Sequence, residues 1–179
     1  GKFLEQTLDS LCDERYIEDI EVLVIDDGSK DNTGCIAKDY ESRYPNSIKY
    51  VAKENGGHGS TINVGIQKAQ GKYVKVVDGD DTVDSEEFAK LIDILEHEDS
   101  DIVLNNYIED FAKDNYAHLM KIYTHLKPGI KYKFDDLCYP QYGFTSWGQI
   151  LSCSSYKTEM LKNSGYKLLE KTFYVDMQL

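Results

Sequence analysis

Three carboxylates stand within four residues at Asp78-Gly79-Asp80-Asp81, directly after the apolar stretch Lys72 to Val77. Carboxylates this close repel one another unless a cation neutralises them. Their oxygens are hard ligands suited to Mg2+ or Mn2+, and Gly79 lets the backbone turn tightly while leaving room for a ligand. A solvated acidic turn ahead of the next helix is the competing explanation. A second acidic turn, Asp26-Asp27-Gly28-Ser29, with Asp31 beyond it, ends another apolar run. Its carboxylates can accept hydrogen bonds from ribose hydroxyls or a base N–H, or they can cap the helix that follows. A third cluster, Asn55-Gly56-Gly57-His58-Gly59-Ser60, offers backbone N–H groups to an anion at a helix start. It is neither a dinucleotide fingerprint nor a P-loop, because Ile62 stands at the third glycine position and no Gly-Lys-Ser/Thr follows. His58 by itself reads as an ordinary loop histidine.

Regular elements must position these clusters. Residues 3–13 carry Phe3, Leu4, Leu8 and Leu11 at helical spacing. Ile20 to Ile25 is a short, nearly continuous apolar run, as expected of a buried parallel strand. Asp31 or Asn32 is placed to cap a helix with Ile36, Ala37 and Tyr40 on one face, ending before Pro45. Ile48 to Ala52 predicts a second strand, and Ile62, Ile66 and Ala69 a helix stopping at Gly71. Lys72 to Val77 predicts a third strand. Ser85 then caps a helix through Leu91, Ile92 and Leu95, and Asp101 to Tyr107 predicts a fourth strand. This βαβαβαβ pattern predicts an open, mostly parallel sheet with helices on both faces. Ligands of such sheets bind beyond the carboxyl ends of the strands, where all three polar clusters fall. Beyond residue 107 the alternation is lost and tyrosines become frequent. Residues 107–132 predict a hairpin with Asp114-Asn115 as its turn, Gln149 to Ser154 a strand, and Ser155 to Ser164 a helix ended by Gly165.

The 179 residues fit one domain with a substantial core. With 20 Lys and Arg against 32 Asp and Glu, the net charge is −12, which excludes non-specific nucleic-acid binding through a basic surface. No apolar run reaches membrane-spanning length, and no signal segment opens the chain. Cys12, Cys35, Cys138 and Cys153 show no C-x-x-C or zinc-finger spacing and read as buried or half-buried thiols of a reducing compartment. Both ends read as cut from a longer chain: a helix opens it with no preceding strand, and an uncapped amphipathic pattern closes it.

Calcium hands are excluded. From Asp78 the required glycine and closing Glu positions hold Val83 and Ala89, and from Asp27 they hold Asn32 and Lys38. Asp78-x-Asp80-x-Thr82-Val83 matches the opening motif of haloacid-dehalogenase-like phosphatases, whose first Asp is a nucleophile and second a general acid. That motif normally closes the first strand of its fold, whereas two βα units precede it here, and no Gly-Asp-x-x-x-Asp follows.

Taken together, Val24-Ile25-Asp26-Asp27-Gly28-Ser29-Lys30-Asp31-Asn32-Thr33, then Asn55-Gly56-Gly57 through Asn63-Val64-Gly65, then Val76-Val77-Asp78-Gly79-Asp80-Asp81, resemble the family 2 glycosyltransferases of the GT-A fold. The resemblance covers residues 3–108. It implies a Rossmann-like sheet truncated at both ends, with the family's opening strand and its base-binding segment absent from this chain. It divides the single domain into a nucleotide-sugar-binding half, 1–108, and an acceptor-side half, 109–179. The implied activity is inverting transfer of a sugar from a nucleotide-diphosphate donor, a UDP-sugar, to a hydroxyl of a glycan or lipid-linked acceptor. The implied setting is cell-surface polysaccharide synthesis in the cytoplasm at the inner membrane face. Asp26, Asp27, Asn55, Gly57, Asp78 and Gly79 would bind the donor, and Asp78 and Asp80 would hold Mn2+ or Mg2+. In Lys171-Thr172-Phe173-Tyr174-Val175-Asp176, Asp176 would be the catalytic base, with Val175 standing where the family usually has an acidic residue. Trp147 and Tyr142, with Tyr139 and Phe144, would wall the acceptor. A non-catalytic nucleotide-sugar-binding domain is a further alternative.

Overall fold

The computed structural model describes residues 1–111, 116–120, 126–133, 135 and 151–172. Helix α1 (Leu4–Leu11) buries Leu8 and Leu11 one helical turn apart, and strand β1 (Val22–Asp26) follows. Helix α2 (Thr33–Arg43) starts where Asp31 Oδ1 accepts the Thr33 N–H at 3.0 Å and the Thr33 hydroxyl at 2.6 Å, so Asp31 rather than Asn32 satisfies its first turn. α2 crosses over to β2 (Ile48–Ala52), which pairs parallel with β1 in the register Val22↔Ile48 to Asp26↔Ala52. Leu8, Tyr40 and Ile48 form a core that binds α1 and α2 to this strand pair.

Helix α3 (His58–Lys68) begins inside the expected glycine loop and ends at Ala69 rather than at Gly71. Strand β3 (Tyr73–Lys75) is shorter than the apolar run that predicts it: its ladder ends at the Lys75↔Ser155 pair and leaves Val76 and Val77 outside. The cap of α4 (Ser85–His97) is Asp84 and not Ser85: Asp84 Oδ1 accepts from Glu86 N at 3.1 Å and Glu87 N at 3.0 Å. Tyr16 meets Phe88 edge-on at 5.2 Å between ring centroids, tying the α1–β1 connection to α4.

The predicted fourth strand, Asp101 to Tyr107, is realised as the shorter β4 (Ile102–Leu104), and β5 (Tyr107–Phe111) begins at its last residue. β5 pairs antiparallel with β6 (Tyr116–Met120) in the expected hairpin. Its predicted turn, Asp114-Asn115, lies outside the described residues, as does Gln149. A single 3-10 turn at Leu151–Cys153 precedes β7 (Ser154–Lys157), which starts where the expected strand ends. Helix α5 (Thr158–Ser164) stops at Gly165, whose φ of 65° terminates it in the left-handed region.

β7 inserts between β3 and β4, antiparallel to both, so β3 and β4 run in the same direction without touching. This α/β architecture draws a strand from the second half into the sheet of the first. Ile62, Ile66, Leu151, Tyr156, Leu161 and Leu168 close a second core where α3 and α5 cover it. β1 pairs with β2, and β3 with β7. Their other edges flank a cavity of about 910 Å3, with α3 on one side and α1 and α4 on the other. Among the described residues no helix is long and apolar enough to cross a membrane. Cys12 is half-buried and Cys153 buried, as expected, but Cys35 is exposed; all three are free thiols, and Cys138 lies outside the described residues.

Candidate functional site

Asp26 closes β1 with only 6% of its surface exposed. Its Oδ1 accepts from Ser29 N at 2.8 Å and its Oδ2 from the Tyr50 hydroxyl at 2.8 Å. Burial pulls this carboxyl up, but the donors from Ser29 and Tyr50 outweigh it and hold it below the usual range.

Asp27 is committed to the glycine loop. Its Oδ1 accepts the Gly56 N–H at 2.9 Å and the Lys53 ammonium, and its Oδ2 accepts the Gly57 N–H at 2.8 Å. Asn55 Nδ2 donates to the Asp27 carbonyl at 3.1 Å. Burial raises the Asp27 carboxyl, and the Lys53, Gly56 and Gly57 donors more than reverse it, leaving it lowered.

Gly57 has φ 82° and ψ 171°, a conformation essentially reserved for glycine. A Cβ there would stand 3.1 Å from the Lys171 nitrogen. The close approach is functional for the loop: Lys171 N donates to Gly56 O at 3.0 Å, and Lys171 itself has a positive φ of 57°. On α3, buried Asn63 donates from Nδ2 to Leu168 O at 2.9 Å and accepts from Leu168 N at 2.9 Å. Residues 168–172 are thereby docked on α3 and the glycine loop. Asp176 lies outside the described residues, as do Tyr139, Tyr142, Phe144 and Trp147.

The third cluster sits beyond β3. Asp81 N donates to Asp78 O at 3.0 Å, closing a turn that leaves Asp78, Gly79 and Asp80 exposed. His58 Nε2, at the start of α3, lies 4.0 Å from Asp78 Oδ1. Burial first, then the neighbouring Asp80 charge, raises the Asp81 carboxyl. Two solvent-facing carboxylates under like-charge pressure fit a hard divalent ion, and Mg2+ sites commonly use only one or two carboxylates with phosphate oxygens completing the shell. On α4, potential ligand atoms of the exposed Asp93, Glu96 and His97 lie within 4.8 Å of one another. This group belongs to another element from the Asp78–Asp81 turn.

The cavity brings Asp26, Asp27, His58, Asp78 and Gly79 to one lining, with Ser29 beside them. Asn55 and Gly57 serve from behind, through Asp27. No sequence motif assigns an individual role to Tyr50, Lys53 or Asn63. The available signal for Asn63 was a polar residue between Ile62 and Ile66 on the apolar face of a helix.

The model of the family described as Glycosyl transferase family 2 matches residues 1–165. The chain is 41% identical over 101 residues to the uncharacterized glycosyltransferase EpsJ of Bacillus subtilis, a stretch covering 56% of this chain and 29% of EpsJ. It is 31% identical over 101 residues to the minor teichoic acid biosynthesis protein GgaB of the same organism, covering 56% of this chain and 11% of GgaB. Among solved structures, S. aureus TarS 1-349 in complex with UDP-GlcNAc superposes with a TM-score of 0.70 at 21% identity, covering 99% of this chain and 48% of that one. The chain thus spans about half of the TarS fragment, and its match spans under a third of EpsJ. With a family match over nearly its whole length and the expected α/β frame, the chain belongs to glycosyl transferase family 2.

Proposed function

We propose that the full-length protein transfers a sugar from a UDP-sugar to a hydroxyl of a glycan or lipid-linked acceptor, with inversion, in cell-surface polysaccharide synthesis. The observation that carries this reading is the convergence of both acidic turns on the N-terminus of α3, where the Gly57 N–H holds Asp27 and His58 Nε2 lies 4.0 Å from Asp78 Oδ1. The UDP-GlcNAc in the TarS complex supports the donor class, and the teichoic-acid role in the name of GgaB supports the acceptor class. The reading places the protein in the cytoplasm at the inner membrane face, where lipid-linked acceptors lie. Residues 1–108 form the donor side and 109–179 the acceptor side.

In this mechanism Asp26 and Asp27 hold the nucleoside. Asn55 and Gly57 fix Asp27, and Gly79 leaves room for the diphosphate. Asp78 and Asp80 would hold Mn2+ or Mg2+, which supplies charge neutralisation to the departing diphosphate. The acceptor oxygen attacks the anomeric carbon, the bond to the diphosphate oxygen breaks with its electron pair leaving on UDP, and the acceptor proton passes to Asp176. Trp147 and Tyr142 wall the acceptor. The docking of residues 168–172 through Asn63 and Gly56 supports an assignment in which the segment leading to Asp176 is anchored to the donor loop.

A panel of nucleotide sugars incubated with the full-length protein and Mn2+ tests the reading. One UDP-sugar should be consumed with release of UDP, and simple phosphomonoesters should remain intact. Covalent phosphate on Asp78 would reinstate the phosphatase alternative, which the family match and the placement of Asp78 after the third strand oppose. Binding of a nucleotide sugar without turnover in the presence of acceptors would favour the non-catalytic alternative.

A further inference from the structure

Lys75 interrupts an otherwise apolar stretch, with Val74 before it and Val76-Val77 after it. As the last residue of β3, which among the described residues is an edge strand of the three-stranded sheet, it stands opposite Ser155 of the central strand β7. Lys75 is half-buried, and desolvating an ammonium is unfavourable unless its donors are satisfied. Its Nζ donates to Asn105 Oδ1 at 2.9 Å and to the Ser152 carbonyl at 2.5 Å. Both acceptors are neutral, so the contact is not an ordinary ion pair. Asn105 in turn donates its backbone N–H to Cys153 O at 2.9 Å.

These bonds tie three chain segments at one point: the end of β3, the residue just after β4, and the turn leading into β7. Three residues beyond Lys75 the chain reaches Asp78. The apolar pattern at Val74, Val76 and Val77 would be served by another aliphatic residue at this position, yet the chain places a cation there.

We propose that Lys75 is a positioning residue for the Asp78–Asp81 turn: by tying the end of β3 to Ser152 O and Asn105 Oδ1, it fixes where Asp78 and Asp80 meet the metal and diphosphate of the donor. The assignment rests on the functional reading above. The ammonium is also poised electrostatically. Burial lowers its pKa to about 8, with the neighbouring Cys153 thiol acting in the opposite direction. Among the described residues, the Cys153 thiol interacts with Lys75, and Asp81 and Tyr107 interact in turn with Cys153.

The test compares UDP binding in the presence of Mn2+ for full-length wild type, Lys75→Met and Lys75→Arg. Met approximates the volume and shape of the lysine stem and removes the donors, whereas Arg keeps a charge and donors. The expected result is a dissociation constant at least tenfold weaker for Lys75→Met, restored to within about threefold by Lys75→Arg, with cooperative unfolding in every variant. A lysine that only stabilises the sheet would lower the melting temperature of Lys75→Met and leave the UDP dissociation constant within threefold of wild type; that result overturns the proposal. If Lys75→Met fails to unfold cooperatively, Asn105→Leu decides, because it cuts one tether and keeps the lysine. Weaker UDP binding then upholds the proposal, and wild-type binding overturns it. Absence of Mn2+-dependent UDP binding in the wild type would instead overturn the functional reading and the positioning role with it.

Discussion

Asn63 and Leu168 exchange two hydrogen bonds of 2.9 Å, amide to carbonyl and N–H to amide oxygen, across 105 residues of sequence. Both residues are buried, at 7% and 2% exposure. The side chain therefore stands in for a strand partner, satisfying a backbone that has no ladder to join. Replacing Asn63 with Leu removes both bonds and leaves two Leu168 backbone groups unsatisfied, each at about 1–3 kcal/mol. Urea unfolding of Asn63→Leu should show a lower midpoint at an unchanged slope. A change within about 0.5 kcal/mol would mean that the docked segment finds other partners.

Gly57→Ala forces a Cβ into a glycine-only conformation and towards the Lys171 nitrogen. Destabilisation of about 1–3 kcal/mol is expected from the backbone alone. UDP affinity should fall as well, because Gly57 N–H holds Asp27. Unchanged UDP affinity would separate the loop from donor binding.

The Asp26 and Asp27 carboxyls lie below the usual range in the folded protein. A depressed folded pKa gives stability that is fully present above the unfolded value of about 3.9 and is lost as pH falls through the lower folded value. The stability difference between wild type and Asp27→Asn should therefore be flat from about pH 5 to 8 and shrink below about pH 4. Denaturant titrations at several pH values check this. A difference that grows on acidification would contradict the sign.

The α4 cap offers a local test. Asp84→Ala should cost about 1 kcal/mol through loss of both N-terminal hydrogen bonds, whereas Ser85→Ala should stay within about 0.5 kcal/mol. Equal effects would return the cap to Ser85.

Asp176→Asn in the full-length protein keeps the shape of the side chain and removes its proton-accepting charge. Transfer should fall about 10²–10⁴-fold, in kcat rather than in donor KM. Wild-type transfer by this variant would exclude Asp176 as the base and direct attention to Glu170, whose carboxylate lies 3.5 Å from Asn63 Nδ2.

Local chemistry made much of this frame legible. The apolar runs ending at Asp26 and Ala52 specify β1 and β2, although only β1 is covered along its whole length, whereas β2 buries Ile48 and exposes Lys49 and Ala52. The glycine-rich composition at Asn55–Gly59 concealed the start of α3, since one glycine in an unusual conformation suffices to turn loop into helix at His58. Ser154-Ser155-Tyr156-Lys157 carries too weak an apolar signal to mark β7, and its insertion between β3 and β4 depends on pairing across 50 to 84 residues. The acidic turns were legible as clusters, but Asp27 holding the glycine loop, Asn63 clasping Leu168 and Lys75 tethering Ser152 are long-range contacts that residue types alone do not specify.

The central claim, a nucleoside diphosphate held through a metal on the Asp78–Asp81 turn, is tested most directly by the thermal unfolding of the full-length protein with UDP, in Mn2+ and in EDTA. At about 100 times its dissociation constant, UDP should add roughly 2.7 kcal/mol of stability with Mn2+. It should add little in EDTA, and Asp80→Asn should remove the metal dependence while leaving the ligand-free protein folded. Equal stabilisation by UDP in Mn2+ and in EDTA would contradict the account.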